Sequence, residues 1–326
     1  MTPDPIRHGR TGRIHWTLPL VLAWTAAVPA AVADDGGDDH DGCHGDANAC
    51  EETARKLREA SRLGAREDYQ LSLADCLRFE DREESRECLR EARAAYREAL
   101  DLVGQQFEAR RDLCEALDEG RYDPEIDPAD FAAPLHNPFF PLTPGLTRVY
   151  ESETEEGLEH VETTVTADTR EILGITCTVV HDVATLDGEL IEDTYDYYAA
   201  DRRGNVGYFG ELAMNYEDGF LHDLDGSWIA GEDAARPGIL MAAERFTGLV
   251  YRQEFLANEA EDAARITGLD RTVDTPFGTF PSCLETFDFS PLEPDLREAK
   301  FYAPGIGPVL EVNLETGETL ELIAVL

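Results

Sequence analysis

Residues 76–88 read Cys-Leu-Arg-Phe-Glu-Asp-Arg-Glu-Glu-Ser-Arg-Glu-Cys, and a further cysteine stands 26 residues outside each end, at Cys50 and Cys114. The inner and outer pairs share one centre, Arg82. An antiparallel helical hairpin stapled beside its turn and again at its open end needs this mirror spacing. From Asp46, an N-capping residue type, to Gly120, a C-capping one, the chain is rich in Ala, Arg, Glu and Leu and has no proline. The turn is expected at Phe79–Ser85. The seam is expected to set Leu57, Leu63, Leu71 and Leu77 against Leu89, Tyr96, Leu100, Val103 and Phe107. So thin a seam needs help. Loop-closure entropy gives Cys76–Cys88 about 3 kcal/mol and Cys50–Cys114 about 4 kcal/mol. Twenty-six residues of ideal helix end about 80° from the starting face, which predicts a frayed end near Cys50. The rival outer pairing, Cys43–Cys114, would leave Cys50 free. No Cys-x-x-Cys motif points to redox work, so these cysteines read as staples.

The flanks place this hairpin in an exported protein. Arg7, Arg10 and Arg13 precede an apolar run, Trp16 to Val32, and Ala31-Val32-Ala33 is a small-x-small cleavage site. Residues 1–33 therefore read as a signal peptide, and a periplasmic or extracellular location is expected. No lipobox precedes Cys43, and no transmembrane anchor is expected in the mature chain. Beyond residue 33 the chain carries 25 basic and 67 acidic side chains, a formal charge of −42, and only two lysines, Lys56 and Lys300. That charge argues against nucleic-acid and anionic-lipid partners and attracts cations. A salt-adapted surface and a Ca²⁺-loaded one both account for it. Residues 34–45 form an acidic tail in which His40, Cys43 and His44 offer imidazole and thiolate ligands for Zn²⁺ or Cu²⁺. The competing reading of that tail is a solvated, low-complexity segment.

After a linker, 121–136, composition changes. Residues 137–326 are rich in β-branched and aromatic residues, with turn pairs at Asp187-Gly188, Asp218-Gly219 and Asp225-Gly226. Without a βαβ rhythm, the sheet should be antiparallel and meandering. Ten or more strands must curl, so the expected class is α+β: a disulfide-stapled helical hairpin followed by a large curved sheet or half-barrel. Cys177 and Cys283 are expected to bridge two strands, with buried thiols as the alternative. Cys177, His181 and Asp182 look like a nucleophile set, yet strand positions four apart are about 13 Å apart. Glu192-Asp-Thr-Tyr-Asp196 offers carboxylates for glycosidic chemistry, but acids are abundant enough to meet by chance. Asp223, Asp225 and Glu232 match three ligand positions of an EF-hand loop, with Gly226 at its glycine position. Leu221 falls where the first acid belongs. Ca²⁺ is thus the one cofactor candidate.

Asn137-Pro-Phe-Phe-Pro-Leu-Thr-Pro-Gly145, Val149-Tyr150-Glu151 and Tyr302-Ala-Pro-Gly-Ile-Gly-Pro-Val309 resemble a group of uncharacterised exported bacterial proteins. The resemblance spans most of the chain beyond the signal peptide. It implies a secreted β-rich module behind a cysteine-bearing helical segment, and no known activity. The opening Phe-Pro-Leu-x-x-Gly and late Tyr-x-x-Gly-x-Gly motifs are loosely similar to lipoprotein-carrier-type periplasmic proteins with curved sheets. That similarity implies fold only. The functional expectation is an exported, non-enzymatic binding or surface-interaction protein with a hydrophobic or lipid-like ligand. Tyr195, Tyr197, Tyr198, Tyr208, Phe209 and Trp228 would line its groove. The alternative is an envelope or matrix component that assembles with another envelope protein through its hairpin and cation-bridged acidic faces. A hydrolase ranks third and would need carboxylates converging in a cleft.

Overall fold

The computed structural model describes residues 49–117 and 120–326. The expected signal peptide, the tail with His40, Cys43 and His44, and Asp46 lie outside the described residues. Two helices, α1 (Ala49–Cys76) and α2 (Arg82–Leu117), form the hairpin, joined by a short turn in which Asp81 caps α2. Its Oδ1 accepts from Glu83 N at 2.7 Å and Glu84 N at 3.0 Å, satisfying donors that a helix start leaves open. Both bridges, Cys50–Cys114 and Cys76–Cys88, are formed.

The seam corrects the expected one. Leu63, Leu71 and Leu77 are exposed. The covered stripe of α1 instead runs Cys50, Ala54, Leu57, Ser61, Ala65, Tyr69, Leu73, Cys76. That of α2 runs Cys88, Ala92, Tyr96, Ala99, Val103, Phe107, Arg110, Cys114. Each helix joins its two cysteines in seven steps of three or four residues, about 3.7 on average against 3.6 for a straight helix. The contact stripe drifts around each helix, and this takes up the 80° offset while Cys50 stays helical. Tyr69 stacks on the expected seam residue Tyr96 at 4.6 Å, so a tyrosine fills mid-seam on α1 where leucines were expected.

The strands are β1 (Thr147–Glu153), β2 (Leu158–Ile172), β3 (Ile175–Leu186), β4 (Glu189–Ala200), β5 (Val206–Glu217), β6 (Phe220–Asp223), β7 (Trp228–Ile229) and β8 (Arg236–Met241). There follow β9 (Val250–Arg252), β10 (Glu254–Phe255), β11 (Ala263–Thr275), β12 (Gly278–Phe289), β13 (Arg297–Ala303), β14 (Gly307–Asn313) and β15 (Thr319–Val325). All pairs are antiparallel, in the order β10-β8-β5-β4-β3-β2-β1-β15-β14-β13-β12-β11-β9, with β6 and β7 added beside β5. Positive φ at both residues of Asp187-Gly188 and of Asp218-Gly219 makes these two the expected primed turns. At Asp225-Gly226 only the glycine has positive φ.

The two ends of that order are β9 and β10, and a single residue, Gln253, separates them in sequence. The segment 250–255 pairs with β11 through its first half and with β8 through its second, so the sheet curls round to meet itself. Closure passes a half-barrel and removes both free ends of the main path. Gly238 marks the join. A Cβ there would lie 2.2 Å from the Gln253 carbonyl carbon, so only glycine lets β8 approach this closely.

The hairpin docks on the closing segment. Arg110 on α2 donates from Nε and Nη2 to the two carboxylate oxygens of buried Glu261, at 2.7 and 2.9 Å. Gln106 donates to the Leu292 carbonyl at 2.8 Å. Arg252 on β9 lies against the rings of Tyr122 and Phe255, at 5.3 and 5.0 Å. Cys177 and Cys283 are free thiols, which corrects the expected bridge. Cys177 lies in the larger apolar cluster and Cys283 in the smaller one, beside Val273 and Val309. Burial lifts the Cys177 thiol to about 12 and the Cys283 thiol to about 11, so neither is a ready nucleophile.

Candidate functional site

Strand alternation puts polar residues in phase with the core. Directly paired residues share a face, so the register defines rows across the interior. One row runs Arg148 (β1), Thr163 (β2), Asp182 (β3), Thr194 (β4). A second holds Val180, Asp196 and Glu211 on β3, β4 and β5, and a third opposes Tyr198 to Tyr208. Across the barrel, Asp288 faces Glu298, and Lys300 lies between Thr286 and Glu311. These rows surround a cavity of about 90 Å³, lined by Arg148, Asp182, Asp196, Glu254, Glu298 and Lys300 among others.

Each end of the cavity has its own cation. Lys300 Nζ is 3.3 Å from carboxylate oxygens of Glu298 and Glu311 and 3.9 Å from Asp288. Burial alone would lower its ammonium pKa, but Glu311, Glu298 and Asp288 together raise it well above the ordinary value. At the other end Arg148, wholly buried, donates to the Ile306 carbonyl at 3.3 Å and lies 5.7 Å from the Phe140 ring. Burial lifts the nearby Asp182 carboxyl to about 6, against the opposing pull of the Thr163 hydroxyl and Arg148. Burial also lifts Asp262 to about 7, held back by Ser290 and Lys300.

Between these ends lie three carboxylates with no cation among the groups that shift them: Asp196, Glu211 and Glu254. Burial first, then repulsion from a neighbouring carboxylate (Asp182 on Asp196, Asp196 on Glu211, Asp262 on Glu254), pushes each well above the usual carboxylate range. The Tyr208 hydroxyl donates its one proton to Asp196 at 2.7 Å. Both oxygens of Glu211 are therefore left without a donor in hydrogen-bond geometry. Glu254 Oε2 is in the same position, with the Trp228 indole facing it outside that geometry. Tyr208 stacks on Tyr198 at 4.7 Å and meets the Trp228 ring edgewise at 5.2 Å, so aromatic faces lie beside these acids.

The expected site residues scatter. The Cys177–His181–Asp182 set is split by alternation: Asp182 faces the cavity, whereas His181 pairs with Asp193 at 2.7 Å and stacks on Tyr195. The aromatic set divides likewise, Tyr198 and Tyr208 lining the cavity while Arg170 covers Tyr197 and Phe131 packs on Phe209. Asp223 and Asp225 share a turn closed by Asn215, whose Nδ2 donates to Asp223 Oδ1 at 2.7 Å and to the Asp225 carbonyl at 3.1 Å. Glu232 is exposed in the following turn. Among the described residues no three Asp, Glu, His or Cys side chains form a group that could hold a metal ion.

No protein-family model matches the sequence, and no curated protein matches it. Among solved structures, a chain described as a "putative lipoprotein" from Parabacteroides distasonis is similar at 13% identity, covering 59% of this chain and 100% of its own, with a TM-score of 0.33.

Proposed function

We propose that this chain is an exported binding protein that holds a small polar ligand inside its closed sheet, with the stapled hairpin bracing the closing segment. One observation carries this reading: the cavity wall includes buried polar atoms with no partner in hydrogen-bond geometry among the described residues, Arg148 Nε, Glu254 Oε2 and Glu298 Oε1. Leaving each bare costs about 1–3 kcal/mol, so a guest that supplies the missing partners is favoured. Size narrows the guest. A cavity of about 90 Å³ takes roughly three water-sized groups at about 30 Å³ each, well below the space a lipid tail needs. The charged lining also disfavours the hydrophobic or lipid-like ligand expected from the sequence. Two disulfides fit the oxidising compartment to which an exported chain is delivered.

A hydrolytic role draws on the same wall, since Asp182 at about 6 and Asp262 at about 7 are poised for proton transfer near neutral pH. It needs space for a scissile bond and its two flanking groups, which the cavity does not offer. Trp228, the only tryptophan after residue 33, makes binding directly measurable. Small cations, anions and neutral polyols are titrated at constant ionic strength while its emission is followed. A saturable change with any one class supports the reading. Flat titrations with all three remove it.

A further inference from the structure

Resting on the binding role just proposed, we infer that the guest is a small organic cation, an alkylammonium, seated between Asp196 and Glu254 against the Tyr198–Tyr208 stack. The carboxylates of this interior form a continuous series. Its two ends are neutralised within the chain, by Arg148 beside Asp182 and by Lys300 beside Glu298, Glu311 and Asp288. Its centre is not. Asp196 and Glu211 are opposed in register on β4 and β5, both 1% exposed, a like-charge pair that a sheet disfavours wherever nothing positive lies between. Glu254, also 1% exposed, brings a third carboxylate from the closing segment with Oε2 open. A cation in that position would do for the centre what Lys300 does for its end.

The surroundings select the kind of cation. No trio of ligating side chains converges as a divalent ion requires, among the described residues. The stacked phenol rings of Tyr198 and Tyr208 on the cavity wall instead offer a π face that attracts an ammonium group, and Tyr208 holds Asp196 in place from the side. An ammonium donates up to three hydrogen bonds, one of which meets the open Glu254 Oε2 on the cavity wall.

The test uses the exported protein with both disulfides intact. Trp228 emission and calorimetry are followed with ethylammonium, 1,4-butanediammonium, tetramethylammonium, Ca²⁺, acetate and glycerol, against NaCl at matched ionic strength. Saturable binding of at least one ammonium is expected, weakened tenfold or more in both Glu254→Gln and Asp196→Asn. Each substitution replaces a buried carboxyl by a neutral group of the same shape, so the apo variants should remain folded, and an apo melt at or above that of the parent verifies this. Three results overturn the cation assignment: no ammonium binds, Ca²⁺ binds and the ammoniums do not, or folded Glu254→Gln binds ammonium as tightly as the parent. If acetate or glycerol saturates Trp228 where the ammoniums fail, the binding role survives and only the ligand class is wrong. If nothing saturates it, both fail together.

Discussion

Lys300 is one of two lysines beyond residue 33, and it sits inside the sheet with three carboxylates around its ammonium. Removing one member of a buried ionic cluster costs more than the cluster contributes, because the partners stay buried without compensation. Lys300→Met should therefore lower unfolding stability by about 3–5 kcal/mol, read from urea melts at neutral pH. A loss below about 1 kcal/mol would mean that the carboxylates are protonated or hydrated. The raised carboxyls also set an unusual pH dependence. A carboxyl whose pKa is higher in the folded than in the unfolded chain keeps its proton where the unfolded chain has lost it. Rising pH then costs stability across that window. With Asp182 at about 6 and Asp262 at about 7, the unliganded protein should be more stable near pH 5 than near pH 8. A surface this acidic pushes in the same direction, so the diagnostic variant is Asp182→Asn. It should lose part of the difference in melting temperature between the two pH values, and an unchanged difference would assign the whole effect to the surface.

At the level of the element, the hairpin was legible because a covalent constraint leaves few geometries for two helices, and mirror spacing leaves essentially one. Its packing face was misread for an instructive reason. Hydrophobicity as a guide to burial selects Leu63, Leu71 and Leu77, although the cysteines already fix the phase. Stepping from Cys76 by three and four residues reaches Leu73, Tyr69 and Ala65, the residues that are covered. A seam of small and aromatic side chains buries little apolar area, so the bridges should carry much of the stability of the pair. Replacing Cys76 and Cys88 together by Ser should cost about 3 kcal/mol, and replacing Cys50 and Cys114 about 4 kcal/mol. The second loss should be enlarged by disturbance of the docked end, where Cys114 and Arg110 share a stripe and Arg110 holds Glu261. A second loss only about 1 kcal/mol larger than the first in denaturant melts, the difference loop length alone supplies, would mean that the outer bridge does nothing for docking.

Over the whole molecule, the succession of antiparallel strands could be read from β-branched and aromatic composition and from the turn pairs. Two things could not. Closure depends on the six-residue stretch 250–255, which reads as one ordinary strand and divides its pairing between the two edges of the sheet. The cavity depends on acids standing in phase with core residues: Asp196 two before Tyr198, Glu311 two after Val309. With 67 acidic side chains beyond residue 33, those few are invisible until the register shows which face they share. Closure and cavity are also mechanically linked, because Glu254 enters the wall from the closing segment. Gly238 is where that link can be cut, since a side chain there must displace the Gln253–Glu254 backbone. Gly238→Ala should cost about 1–3 kcal/mol as an overpacked contact, with faster amide exchange concentrated at residues 250–255 and in β8. The same variant should weaken whatever the cavity binds, although residue 238 need not touch the guest. If exchange at 250–255 is unchanged while the protein is destabilised elsewhere, the join is not what holds the interior shut, and the site would have to be sought in a sheet that opens.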